Sequence, residues 1–245
     1  MIKNKKNRNS ATTARKTELL DDSQPFAYKE AYKALRTNFN FATLDGKIKT
    51  IVVTSSIPGE GKTTFSINLA ITLADAGKKV LLIDADLRNP TVHRYLRLRQ
   101  QDLSGLSNIL SSTLKASDVL GHLERYGIDL LLSGTIPPNP VELLDSGRIK
   151  EVIDELSGDY DYIICDTPPA SVVTDASVLS KHCDGIIMVV AQGKTNRELA
   201  HKAMDNLKLS GTKIIGAVLN DYDVRRDSKN SLQENSYYYT YGESE

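Results

Sequence analysis

Residues 55–64 read SSIPGEGKTT, a turn of small residues that closes on Lys62, Thr63 and Thr64. An apolar run, TIVVTS (50–55), stands before it and a stretch with helical spacing, FSINLAITLADAG (65–77), follows. Strand, glycine turn, lysine and helix in that order make a phosphate cradle. Gly59 and Gly61 let backbone N–H groups approach phosphate oxygens, Lys62 adds a compact positive charge, and the helix N-terminus adds a partial one. Glu60, between the glycines, and Thr64 belong to the same loop. Ser56 stands where the generic loop has its first glycine, and a small residue there still makes the turn. The plain alternative is a glycine-rich turn with no ligand, which the neighbouring strand, lysine and helix argue against.

A bound nucleotide needs a metal, and Mg²⁺ takes hard oxygen ligands, few of them from protein. Thr63 offers a hydroxyl. Two further apolar runs end in carboxylates: KVLLIDAD (79–86) in Asp84 and Asp86, and DYIICDT (161–167) in Asp166. Strand ends on the carboxyl side of an open parallel sheet converge where the ligand binds, which places all three carboxylates near a terminal phosphate. Any one of them alone reads equally well as a loop cap; three at one edge do not.

These residues need a sheet to carry them. Besides the three runs above, IDLLLS (128–133), DGIIMVVAQ (184–192) and KIIGAVLN (213–220) are continuously apolar, the pattern of strands covered on both faces. Helix-length segments separate them. Asn139 and Pro140 form an N-cap and first-turn pair opening VELLDSGRIKEVIDELSG, and TNRELAHKAMDNLKLSG (195–211) closes on glycine. The expectation is an α/β fold of the P-loop NTPase type: a doubly wound, mostly parallel sheet with helices on both faces. Residues 25–42 read as an amphipathic helix with Tyr28, Ala31, Tyr32, Leu35 and Phe39 on one face, opening a domain expected over 25–220. A basic arm (1–24) precedes it and a polar tail (221–245) follows.

At 245 residues the chain is long enough for one such domain, and with 31 basic against 31 acidic residues it makes no whole-protein case for nucleic acid. The early cluster Lys3, Lys5, Lys6, Arg8, Arg15 and Lys16 reads as a solvated arm or as a weak contact to a membrane surface or acidic partner. Cys165 and Cys183 read as small buried hydrophobes in a reducing setting. His93, His122, His182 and His201 lack metal-ligand spacing. No apolar run follows the N-terminal basic residues, and GIIMVVA is too short to span a bilayer, so a cytoplasmic protein is expected.

GEGKTT, then VLLIDADLRNPTVH (80–93), then IICDTPP (163–169) resemble the three nucleotide motifs of bacterial P-loop protein-tyrosine kinases linked to capsule and exopolysaccharide synthesis. SGTIPPNPVELL (133–144) is similar to a stretch in the same family. The resemblance spans roughly residues 25 to 245. It implies ATP and Mg²⁺, with Lys62 and the loop amides on the phosphates and Thr63 and Asp166 around the metal. It also implies that Asp84 accepts the proton of an incoming tyrosine and that Asp86 supports the metal or that base. Arg88 serves the γ-phosphate charge or pairs with an acid, and the sequence leaves both open. Asn220, ending the last apolar run, is placed to face the adenine. Asp175 reads as the first residue of a helix, with a supporting role at the site as the lesser alternative.

Tyr237, Tyr238, Tyr239 and Tyr241 crowd the last nine residues. A sticky terminus is one explanation; a presented phosphoacceptor cluster, as in the family's autophosphorylated tail, explains both residue type and place. Family members also carry a Glu-x-x-Arg-x-x-Arg helix that joins subunits into a ring. Glu30, Lys33 and Arg36 match it here, with lysine in place of the first arginine and the loss of its bidentate fork. An ordinary solvated face is the alternative. The family implies three partners: further copies of itself, a separate membrane-spanning polysaccharide co-polymerase that activates the kinase and recruits it to the inner face of the membrane, and a tyrosine phosphatase. Two rivals stand. One is a partition or septum-positioning ATPase, whose signature lysine is Ile57 here. The other is a nucleotide-binding regulatory module of a polysaccharide-export complex.

Overall fold

A computed structural model describes residues 19–44, 46–98 and 104–222. Its elements begin with α1 (Phe26–Ala42), β1 (Thr50–Ser55), α2 (Lys62–Ala74), β2 (Val80–Asp84), α3 (Val92–Tyr95) and α4 (Leu106–Ser111). They continue through β3 (Gly121–Leu123), β4 (Ile128–Leu131), α5 (Pro140–Leu144), α6 (Gly147–Ser157) and β5 (Tyr162–Asp166). The last are α7 (Asp175–Ser180), β6 (Gly185–Ala191), α8 (Arg197–Lys208) and β7 (Ile214–Asn220).

Each of the six apolar runs forms a strand, and with the short β3 they make a seven-stranded sheet in the order β3-β4-β2-β5-β1-β6-β7. All neighbours are parallel except β3 with β4. From β1 the chain crosses by α2 to β2 on one side, while from β5 it crosses by α7 to β6 on the other. The two connections diverge between adjacent strands β5 and β1, which is the switch point where an open sheet of this kind takes its ligand. The expected doubly wound α/β sheet is the one found.

Two apolar layers flank the sheet. On one face Ile51, Val53, Leu82 and Ile164 pack under α2; on the other Val52, Leu81, Ile163 and Met188 meet α4 to α8. Helix α2 is buried almost all round because α1 covers its outer side, so it carries apolar residues on every face. The buried Asn68 is satisfied from above: it accepts from the Leu20 N–H at 2.9 Å and donates to Tyr28 Oη at 2.9 Å. The helix stops at Gly77, which takes φ +78° so that the Lys78 N–H returns to the Leu73 carbonyl at 3.2 Å.

The structure departs from the sequence-based expectation in three places. β7 is not covered on both faces: Gly216, Ala217 and Leu219 are exposed. It is the outermost strand with a single neighbour, and an apolar run carries no mark that separates an edge strand from a central one. The segment opened by Asn139 and Pro140 breaks into α5 and α6 at Ser146, whose extended backbone starts the second helix while its hydroxyl donates to the Leu143 carbonyl at 2.7 Å. Strand β3 was not anticipated, since three residues, Gly-His-Leu, hold no periodicity. Cys165 and Cys183 are free thiols, the first buried in β5. Among the described residues no helix is long and apolar enough to cross a membrane.

Leu82 lies in the middle of β2 and is fully buried. Leu82→Ala should destabilise the protein by about 2–5 kcal/mol through lost transfer energy and a residual cavity. Urea unfolding should show a lower midpoint with an unchanged slope.

Candidate active site

The loop after β1 takes the shape a phosphate cradle requires. Gly59 and Gly61 both adopt the left-handed region, at φ +80° and +89°, and Gly61 caps α2. A Cβ on Gly61 would lie 2.1 Å from Asn220 Nδ2, so glycine is demanded twice over there, by torsion and by space. That amide belongs to the end of β7 and donates to the Glu60 carbonyl at 2.8 Å.

Glu60 accounts for the serine that replaces the generic first glycine. Its fully buried carboxylate accepts from Ser56 Oγ at 2.8 Å and from the Ile57 N–H at 2.8 Å, and Thr195 Oγ1 bonds to it from the loop after β6. Glu60 was expected among the ligand-binding residues. Its side chain closes the loop on itself. Two neighbouring loops hold this frame. Ser171 Oγ donates to the Ser56 carbonyl, and Lys194, which pairs with Asp221, reaches the Gly59 carbonyl at 3.3 Å. Thr195, Lys194 and Ser171 carried no signal in the sequence, because only the fold brings them here.

The structure gathers Lys62, Thr63, Asp84, Asp86 and Asp166 at the carboxyl edge. Register places Asp84 of β2 opposite Asp166 of β5. Lys62 Nζ lies 3.4 Å from both Asp86 Oδ2 and Asp166 Oδ2. Thr63 Oγ1 donates to Asp166 Oδ2 at 2.7 Å, and Ser66, on the next turn of α2, donates to Asp166 Oδ1 at 3.1 Å. Asp84 is fully buried, and its oxygens accept from the N–H groups of Asp86 at 3.3 Å and Val92 at 3.1 Å. It therefore ties the loop that carries Asp86 and Arg88 to β2.

The charges do not balance. Burial opposes the Lys62 ammonium, yet the nearby Asp166, Asp86 and Asp84 outweigh it and raise its pKa above the ordinary value. Burial is also the main influence on Asp84; with the Asp166 charge it raises that carboxyl to about 8, against the pull of the Val92 amide and Lys62. Burial raises Asp166 too, in spite of Lys62 and Thr63. Three carboxylates share one ammonium in a nearly dry edge, a surplus of negative charge suited to a divalent cation. The donors are hard oxygens, and Thr63, Asp86 and Asp166 are placed to hold such an ion. Among the described residues no three His, Cys, Asp or Glu converge into a cage, and Mg²⁺ asks for none, since water and phosphate supply the rest of its shell.

At the rim, Arg88 pairs with Asp175, the first residue of α7: Nε to Oδ1 at 2.6 Å and Nη2 to Oδ2 at 3.2 Å. On α1, Lys33 pairs with Glu30 at 2.7 Å, while Arg36 Nη1 donates to the Thr72 carbonyl in the last turn of α2 at 2.8 Å. Tyr237, Tyr238, Tyr239 and Tyr241 and the basic cluster before residue 19 lie outside the described residues.

A glycine cradle with carboxylates at the switch point defines a P-loop nucleotide-binding protein. The model of the AAA domain family matches residues 48–208. Tyrosine-protein kinase YwqD of Bacillus subtilis is 43% identical over 200 residues, covering 82% of this chain and 84% of the relative. Putative tyrosine-protein kinase CapB of Staphylococcus aureus is 36% identical over 222 residues, covering 91% and 93%. Among solved structures, the kinase domain of Escherichia coli tyrosine kinase ETK superposes with a TM-score of 0.76 at 34% identity, covering 80% of this chain and 76% of that one. The chain belongs to the bacterial tyrosine-protein kinases, and the partition-ATPase reading is set aside.

In the nucleotide-free protein the elevated Asp84 carboxyl is a stability statement. Below about pH 4 it is neutral folded and unfolded, and contributes nothing. Between about 4 and 8 the unfolded chain loses this proton while the folded one keeps it, so stability falls as pH rises; above 8 the penalty is constant. Asp84→Asn should therefore raise the melting temperature little at pH 5 and by several degrees at pH 8, with no further gain at pH 9, read by calorimetry in EDTA without nucleotide.

Proposed function

We propose that the protein transfers the γ-phosphoryl group of ATP to Tyr237, Tyr238, Tyr239 and Tyr241 of a second copy of itself, and so regulates capsular or exopolysaccharide synthesis and export. The observation that carries this reading is the gathering of Lys62, Thr63, Asp84, Asp86 and Asp166 at the switch point of a family member whose sequence ends in a tyrosine cluster. The loop amides from Gly59 to Thr64 and Lys62 hold the β- and γ-phosphates, and Asn220 lies toward the adenine. Thr63, Asp86 and Asp166 would hold Mg²⁺, which when bound would neutralise charge on the phosphate oxygens.

The tyrosine oxygen attacks the γ-phosphorus as the bond to the bridging oxygen breaks, ADP departs, and Asp84 takes the hydroxyl proton. Asp84 accepts that proton only in its ionised form, which the positive charge of a bound divalent cation would favour over the neutral form it keeps in the empty site. Most of the acceleration comes from positioning and charge stabilisation, as in phosphoryl transfer generally. The partners in this reading are the membrane-embedded co-polymerase as activator, which recruits the kinase to the membrane, a tyrosine phosphatase, and further copies of the chain arranged through Glu30, Lys33 and Arg36.

Incubating the full chain with ATP, Mg²⁺ and the activator's cytosolic segment should give phosphotyrosine confined to residues 237–241 by mass spectrometry. Lys62→Met should lower labelling by at least ~10²-fold while the circular dichroism spectrum is unchanged. Label spread over serines would reject the acceptor assignment, and bound nucleotide without any label would favour the regulatory-module reading. Replacing Lys33 and Arg36 together by alanine should convert an assembly to monomer in light scattering. Because Arg36 also holds the end of α2, a melting curve must accompany that result, and an unchanged mass would remove α1 as the contact.

A further inference from the structure

The rim of the site holds an ion pair that the proposed chemistry has not used. Arg88 stands two residues beyond Asp86, and Asp175 opens α7, which follows β5 and Asp166. β2 and β5 are hydrogen-bonded neighbours, so the two loops that leave their carboxyl ends lie side by side. Asp175 is 1% exposed and spends both oxygens on Arg88: Oδ1 accepts from Nε at 2.6 Å, and Oδ2 from Nε and Nη2, each at 3.2 Å. The arginine side chain is 40% exposed. A guanidinium has five N–H donors in a rigid fork, and this pairing occupies only the Nε and one Nη2 hydrogen. Among the described residues nothing hydrogen-bonds the Nη1 edge of this half-exposed side chain, which belongs to the loop that carries Asp86.

We propose that Asp175 is a positioning residue that fixes Arg88 so that its free Nη1 edge meets the phosphoryl group during transfer. This rests on the kinase reading above. Pairing with an acid and serving the γ-phosphate are alternatives only while Arg88 is considered alone; the geometry makes the first the means of the second. A long arginine free to turn in solvent loses side-chain freedom on meeting a phosphoryl group, and a clamped one has lost it already, so the benefit falls on the transition state rather than on ATP binding. A purely structural pair would fasten α7 to the β2 loop, and its loss would act on stability alone.

The test is a double-mutant cycle in the full chain with ATP and Mg²⁺. Asp175→Asn keeps the buried shape and releases the fork; kcat for phosphotyrosine formation should fall ~10–100-fold, the range found when groups supporting a site's primary contacts are removed, while KM for ATP stays within about twofold. Arg88→Ala should fall at least as far. In that background Asp175→Asn should have no further effect on kcat, because it has nothing left to position. Arg88→Lys should resemble Arg88→Ala, since an ammonium cannot serve both carboxylate and phosphate as a fork does. Losses that multiply in the double variant, or a lowered melting temperature with kcat intact, would overturn the proposal. Should the wild type hydrolyse ATP without labelling tyrosine, the kinase reading fails by itself, and the same cycle on the hydrolysis rate decides the role of Asp175.

Discussion

Surplus negative charge at the edge between β1, β2 and β5 is the constraint around which the rest is built. Asp84, Asp86 and Asp166 face a single ammonium, Lys62, where little water reaches them. Buried like charges this close favour protonation over ionisation, and Asp84, with its carboxyl raised to about 8, carries that compromise. In the proposed reading a divalent cation would add the missing positive charge, and a nucleotide's phosphates would meet Lys62 and the loop amides.

The surrounding elements are shaped by the need to hold that charge in place. Parallel pairing puts Asp84 and Asp166 in register, Thr63 and Ser66 on successive turns of α2 hold both oxygens of Asp166, and Asp84 ties down the loop that bears Asp86. Across β1 the phosphate loop is fastened separately, by the Glu60 carboxylate on Ser56 and Ile57 and by Thr195 and Asn220 from the last two strands' ends. These are side chains locked by others, which is how a site keeps its geometry to a fraction of an ångström.

Much of this was legible in the sequence, and the boundary of what was not is physical. The strands declare themselves by unbroken apolar runs, and the phosphate loop by glycines and lysine at fixed spacing. Asp84, Asp86 and Asp166 could be read because each ends such a run, so that the sheet's topology alone brings them together. What stayed hidden depends on contacts between distant segments. Nothing local says that Glu60 turns inward, that Ser56 is there for its hydroxyl, or that Asp175 meets Arg88 some 87 residues away. The exposure of β7 was misread for a related reason: apolar residues record that a strand packs, not on how many sides. The break at Ser146 was written in Asp145-Ser146-Gly147, a poor helical run that the pattern on either side obscured.

The end of β7 bears on how an acceptor segment reaches a site. Asn220 is bonded to the Glu60 carbonyl and Asp221 to Lys194, so the chain leaves the sheet beside its own phosphate loop. From Asp221 to Tyr237 the sequence advances sixteen residues, which span at most ~55 Å when fully extended. That reach is ample for its own site, so tether length alone does not exclude transfer within one copy. Effective concentration favours the shorter path unless a neighbour is held close, and a ring contact through α1 is the device that would hold it there. The single intramolecular bond from Arg36 to Thr72 leaves the guanidinium further donors for such a contact, while the Glu30–Lys33 pair on the same helix is exposed and weak enough to exchange partners. In the reading proposed above, a preference for transfer between copies would belong to assembly rather than to the chemistry at Lys62.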